Sequence, residues 1–464
     1  ITELLLAAPW ADLKVQPPHR LNLLAALTPD PGPEPDKARQ SQSAGLPLNV
    51  IAEKIRLTDG RLSFVSTDAG IELKTSGIDI TADGDVAAQS ASLEVTAGDV
   101  RFFAAGIRPE PARIHLRARL DGHQLKIPAL EIDSGRTELR LAGSADDLFS
   151  DPQLNAEMTV DGHLEELQQC FGLTGEFDGP FSARLSVSGT VGNPDAALGL
   201  TVAQGHLAGQ PLDSGELRLD LHDRQVAIDT ATVRLADGAV ALDGSVDLRN
   251  FFPDGFLAAP ADADQLAYQF DLLADIPDLN PWLKRAVDLT GRASGRLSLT
   301  GQGVTPAAIS ATAALEGSGQ DLLAPGMVRP SAADVNLAAQ MAEGTITISR
   351  MNATADGFEL SGDGRFQVDG QALAGNLKLT SADLSRALSV VGMPFVEGAC
   401  KALLSVDGSL SQPQFDLDLA ADALKIEAYT LGNVAVQADM NPDGLLNLSR
   451  LDVQSRDSRI GASA

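Results

Sequence analysis

The sequence predicts a mostly β protein: an elongated antiparallel β-meander, curled into a groove-like rod of repeats about a hundred residues long with a few short helices. Three observations predict it. One line recurs three times, as Leu185-Ser-Val187-Ser-Gly189 with Pro194, Leu297-Ser-Leu299-Thr-Gly301 with Pro306, and Leu404-Ser-Val406-Asp-Gly408 with Pro413; its glycines are 112 and 107 residues apart. A second line closes each unit, ending at Gly143, Gly244, Gly362 and Gly461 with spacings of 101, 118 and 99 residues. Between them the dominant period is two, which puts apolar side chains on one face of a strand and polar ones on the other.

Taken in order, residues 1–46 hold an N-terminal segment and a linker. Positions 1–27 contain an amphipathic stretch with Pro9-Trp10, and 28–46 are rich in proline, serine and charge, a composition that does not repay ordering. Repeat units are expected over 47–160, 161–278, 279–381 and 382–464, the last one truncated. Strands such as Ile55-Arg-Leu57, Ile78-Asp-Ile80 and Ile114-His-Leu116-Arg-Ala118-Arg-Leu120 alternate cleanly. Hairpin turns are expected at Asp59-Gly60, Asp83-Gly84, Asp121-Gly122 and Asp237-Gly238. In each copy of the opening line the glycine is read as a turn and the proline as the point where pairing stops. Short one-sided helices are expected before each opening line, at His163–Phe171, Leu279–Val287 and Ala382–Val390, with Pro281 and Asp383 as start signals. They are read as braces for the sheet.

Composition narrows the function classes. Formal net charge is −28, from 63 acidic and 35 basic residues, a field that repels nucleic acid and anionic headgroups. Nucleic acid is therefore not an expected partner. Cys170 and Cys400 are about two repeats apart, too far to bridge, and both are read as small buried residues. No apolar run approaches the roughly 18 residues of a membrane-spanning helix, and the sequence reads as an excerpt of a longer chain.

Some thirty strands in series cannot stay flat, because twist accumulates and the apolar face must leave water. Aromatics make up only 4% of the chain, so the dry face is aliphatic. A solid filled interior and a trough both satisfy the pattern. Long irregular units without ladders of one residue type favour the trough.

These motifs resemble the TamB family, within the AsmA-like superfamily of repeating-β-groove proteins. The match rests on the L-x-[VL]-x-G opening with its later proline, the short helix before it, the Asp-Gly hairpins and the closing line, and spans most of 48–464. The early segment Arg20-Leu21-Asn22-Leu23, then Leu48-Asn-Val50 through Phe64, looks like the region after the membrane anchor in such proteins. The resemblance implies a periplasmic bridge, anchored in the inner membrane by a segment not in this sequence, with an outer-membrane barrel of TamA or BamA type as a possible partner. It also implies roles in lipid transport, outer-membrane assembly and protein secretion.

In that setting phospholipid acyl chains become the expected cargo. The candidate groove-lining positions are the apolar members of alternating pairs: Leu185, Val187, Leu217, Leu219, Val226, Ile228, Leu297, Leu299, Val335, Leu337, Ile346, Ile348, Leu404, Val406, Leu417, Leu419, Val434 and Val436. No catalytic, cofactor or metal residues are expected. The six histidines show no ligand spacing, and no P-loop, G-x-S-x-G or calcium-loop run is present. The alternative is a β-rod scaffold or chaperone for outer-membrane protein insertion, with no lipid conduit.

Overall fold

Alternation of β-branched and long aliphatic residues with charged ones is realised as strand through most of the chain. In the computed structural model strand accounts for 75% of the described residues and helix for 5%, and the long strands of each unit pair antiparallel. The structure describes residues 3–16, 20–21, 53–66, 71–85, 88, 90–103, 111–148, 152–171, 177–207, 210–235, 238–283, 288–441, 444–455 and 458–462. The proline- and serine-rich linker expected over 28–46 lies outside them, as does Asp237 of the Asp237-Gly238 turn. Two units divide the chain, Ile1–Asp223 and Arg224–Ala464.

The first unit contains β1 (Glu3–Ala7), β2 (Trp10–Gln16), β3 (Arg20–Leu21), β4 (Lys54–Ser66), β5 (Ile71–Asp85), β6 (Ser90–Phe103), β7 (Ala112–Asp121), β8 (Gln124–Ser134), β9 (Thr137–Asp146), β10 (Gln153–His163), α1 (Leu164–Phe171), β11 (Phe177–Asp178), β12 (Pro180–Thr190), β13 (Asn193–Val202), β14 (Gly205–Leu207) and β15 (Gln210–His222). From β4 onward each long strand pairs antiparallel with the next. The N-terminal segment departs from this. β1 and β2 both run parallel to β4, Leu4 opposite Ile55 and Ala11 opposite Leu62.

The second unit contains β16 (Gln225–Leu235), β17 (Gly238–Asp247), β18 (Ala267–Ile276), α2 (Asn280–Leu283), β19 (Thr290–Gln302), β20 (Ser310–Leu323), β21 (Ser331–Ala342), β22 (Thr345–Ala355), β23 (Phe358–Gln367), β24 (Leu373–Ser381), α3 (Leu384–Leu388), β25 (Val396–Gly408), β26 (Pro413–Ile426), β27 (Tyr429–Met440), β28 (Leu446–Gln454) and β29 (Arg459–Ala462). Every successive pair of strands is antiparallel.

Several expected turns are something else. Asp59-Gly60 sits inside β4 at a bulge, where the register slips between Leu57 and Gly60 and Asp59 takes φ 52°. The Asp59 amide donates to Asp79 Oδ1 at 2.9 Å, so a neighbouring strand supplies what a turn would have supplied. Asp83-Gly84 is likewise strand, whereas Asp121-Gly122 does turn, with Gly122 at φ 57°. The prolines of the opening line do not stop pairing. Pro194 and Pro413 lie at the start of the following strands, directly opposite Gly189 and Gly408. A proline tolerates that place because pairing with the following strand begins only further on, at Ala196 and Phe415. Only Pro306 stands in a loop.

Bulges recur along both units, among them Ala97/Val100 and Ile127/Leu130 in the first and Ile348/Met351 and Ala421/Leu424 in the second. Each adds residues to one strand only, bends it and strengthens the local twist, which is how a meander of long strands curls instead of lying flat.

The helices fall where one-sided patterns predict them. α3 is capped by Asp383, whose carboxylate accepts from the amides of Ser385 and Arg386, and it buries Leu384 and Ala387. In α2 the residue before the cap position does the work, Asp278 accepting from the Asn280 amide, with Pro281 the second helical residue. Positions 284–287 of the expected helix lie outside the described residues. α1 is tied to the β8–β9 turn through Glu166, which accepts from the Arg136 amide at 2.8 Å and from the Thr137 hydroxyl. The expectation that both cysteines are buried is corrected at Cys400, which is half-buried and free. It stands on β25 opposite Ala421. The Cys170 side chain lies outside the described residues.

Candidate functional site

Residues directly opposite each other across a strand pair share a face of the sheet, so following the register from strand to strand traces what each face is made of. In the first unit one such row reads Leu57, Ile80, Val95, Leu116, Leu130, Leu141, Met158, Leu185, Leu198, Leu219, ten strands without a polar residue. Beside it runs Ile78, Ala97, Ile114, Ile132, Leu139, Val160, Ala183, Leu200, Leu217. Val187 belongs to a third row, between Ala156 and Ala196.

The second unit repeats the arrangement. Its central row reads Leu242, Leu272, Leu297, Leu315, Leu337, Met351, Gly362, Leu377, Leu404, Leu417, Ala438, Leu448. A flanking row carries Ile228, Leu299, Ile348 and Val406, and the row on the other side carries Val335, Leu419 and Val436. Val226, Ile346 and Val434 lie on the two outermost rows. All eighteen predicted positions therefore fall on the apolar face of their own unit, and the register brings them into rows with partners that sequence reasoning did not single out. Leu141, Met158, Leu315, Met351 and Leu377 are such partners. Their strands carry the same alternation but not the recurring opening line, so pairing register was the missing information.

Burial decides what kind of face this is. A sandwich core packed to ordinary density would bury these side chains completely. None of the eighteen is classed as buried: seventeen are half-buried and Val335 is 37% exposed. Among the described residues no large side chain is fully buried, and the few buried apolar residues are scattered. Three of them, Leu384, Ala387 and Val390, gather where α3 and its continuation meet the sheet margin. Most of the rest of the apolar face in each unit stays half-buried or exposed.

The opposite face is held by ions and hydrogen bonds. Arg296 Nη2 donates to Asp271 Oδ1 at 2.9 Å, and Arg292 Nη2 to Asp275 Oδ2 at 2.9 Å, both across β18 and β19. The Ser298 hydroxyl, and after it Arg296, hold the Asp271 carboxyl below the usual carboxylate range. His115 Nε2 lies 3.2 Å from Glu94 Oε1, and hydrogen bonds from His115 and then Arg117 lower the Glu94 carboxyl. His206 and His222 pair with Asp178 and Asp195. Among the described residues no group of three or more His, Cys, Asp or Glu side chains is placed to hold a metal.

Comparison with known proteins gives no match at any level: no family model, no curated protein and no solved structure is significantly similar to this chain.

Proposed function

We propose that this chain is a non-enzymatic periplasmic bridge of TamB or AsmA-like type, and that each apolar face carries phospholipid acyl chains between inner and outer membranes in support of outer-membrane assembly. The observation that carries the reading is the rows themselves: ten to twelve successively paired strands whose facing positions are apolar, aliphatic but for Gly362, left half-buried where a core would be closed. Moving a phospholipid through water exposes about thirty methylenes at about 0.8 kcal/mol each, roughly 25 kcal/mol in all. A floor offering the same aliphatic contact at every strand removes most of that penalty and favours no single position, so a chain can slide along it.

The test is site-specific photo-crosslinking at Leu219, Leu299 and Val406, scored for lipid against protein adducts. Lipid adducts at all three are expected. Protein adducts alone, with no lipid at any position, would replace the conduit with a scaffold for nascent barrel proteins.

A further inference from the structure

After α3 the chain turns through a short 3-10 segment, Ser389–Val391, and reaches β25 by way of Gly392, Met393, Pro394 and Phe395. Val390–Val396 reads Val-Val-Gly-Met-Pro-Phe-Val, seven residues without one charged or hydrogen-bonding side chain in a chain that is 21% charged. Val390 is buried, but Val391 is 45% exposed, Met393 39% and Phe395 41%. Val328, 66% exposed, extends the patch. It belongs to the β20–β21 loop, where its amide donates to Val390 O at 2.7 Å.

Two further observations say what such a loop fits. Much of its backbone is already paired, within the segment and to neighbouring turns. Gly392 and Met393 donate to Ser389 O and Leu388 O, Val396 donates to Met393 O, Phe395 O accepts from Glu427, and Pro394 has no amide to satisfy. A partner strand would need a run of free backbone groups here, whereas the interfacial zone of a bilayer takes an apolar tip whose backbone is mostly paired. The loop is also held firmly at its base. Arg329 donates to Ser389 Oγ through Nε at 2.9 Å and Nη2 at 2.6 Å, and Gly392 takes the left-handed conformation at φ 80°. The apolar tip is thus presented without an ordering cost at the moment of contact.

We infer that Val390–Val396, with Val328 beside it, is a shallow membrane-insertion loop whose partner is the interfacial zone of a bilayer. The net charge of −28 selects surfaces without net negative charge, so phosphatidylcholine vesicles are the probe. The inference goes beyond the conduit reading, because a loop can seat on a bilayer whether or not the sheet carries lipid.

The experiment uses the full chain with Cys170→Ala and Cys400→Ala, carrying an environment-sensitive fluorophore on Met393→Cys. Phosphatidylcholine vesicles are expected to shift its emission to the blue, and a quencher at a shallow acyl position to quench it. In the otherwise unsubstituted chain, Met393→Asp with Phe395→Asp should lower the vesicle-bound fraction about tenfold, with far-UV dichroism and the thermal midpoint unchanged. Emission that stays water-like with vesicles present overturns the inference. So does a blue shift that grows with protein concentration in their absence, which would mark the loop as a contact between copies. Lipid adducts at Leu299, scored without vesicles, report on the conduit separately.

Discussion

Leu404 on β25 stands directly opposite Leu417 on β26, with Leu377 on its other side, while its chain neighbour Leu403 stands between Lys378 and Asp418. One residue of sequence separates the dry face from the wet one. The pair therefore makes a matched test of the rows. Leu404→Asp puts a carboxylate among aliphatic neighbours and is expected to cost about 1–3 kcal/mol and to abolish lipid adducts at Val406. Leu403→Asp, on a side chain already 41% exposed, should leave both unchanged. Denaturant unfolding and crosslink yield measure the two quantities. Equal effects from the two substitutions would mean that the face does not matter.

Gly408 has φ 99°, and a Cβ there would lie 2.5 Å from Gln412 O, so Gly408→Ala strains the backbone and crowds the hairpin at once. A loss of about 1–2 kcal/mol is expected. Gly192, in the corresponding hairpin of the first unit, has nothing within 4 Å of an added Cβ, and Gly192→Ala should be close to neutral. Unfolding midpoints of the two variants, compared within one denaturant series, check the contrast.

The same glycines show how far the sequence could be read. Alternation and the hundred-residue recurrence were enough for the β class, for the apolar face and for all three helices, because period-two patterning and one-sided helical spacing are local signals. Pairing register is not local. Pro194 and Pro413 looked like stops because proline lacks a donor, yet opposite Gly189 and Gly408 no donor is required of them. Asp59-Gly60 looked like a turn because the same positive φ serves a hairpin and a bulge, and only the partner strand, through Asp79, decides between them. The parallel seating of β1 and β2 on β4 depends on contacts across more than forty residues of sequence, and no local pattern within Glu3–Gln16 encodes the partner strand.

The C-terminal strand pair should respond to acid. Arg459, and next Arg450, hydrogen-bond to Asp452 and lower its carboxyl from the usual 3.8 to about 2. Since the folded value lies below the unfolded one, this contact contributes stability above about pH 4 and loses it as pH falls from 3.8 toward 2. Amide exchange at Ile460, measured by NMR across that window, should accelerate as the carboxylate is protonated. Arg459→Ala should raise the Asp452 midpoint and move the onset of fast exchange to higher pH. An unchanged midpoint would show that Arg450 alone sets it.

At the sheet margin α3 and the strand beside it close into a small core, with Leu384 7% exposed and Ala387 2%. Gly357, in the β22–β23 turn, comes close enough that an added Cβ would lie 3.7 Å from the Ala387 amide, so the helix is fitted to that turn as well as to β25. Leu384→Ala removes the larger apolar anchor and is expected to cost about 2–4 kcal/mol. If α3 braces the margin, the loss should be cooperative: amide exchange should accelerate together in α3, at Val390 and at Cys400 on the neighbouring strand, while β19 and β20 keep their protection. Acceleration confined to α3, with Cys400 still protected, would show that the strands hold the margin without the helix. Uniform acceleration through β16–β29 would make α3 a keystone of the whole unit instead of a local brace.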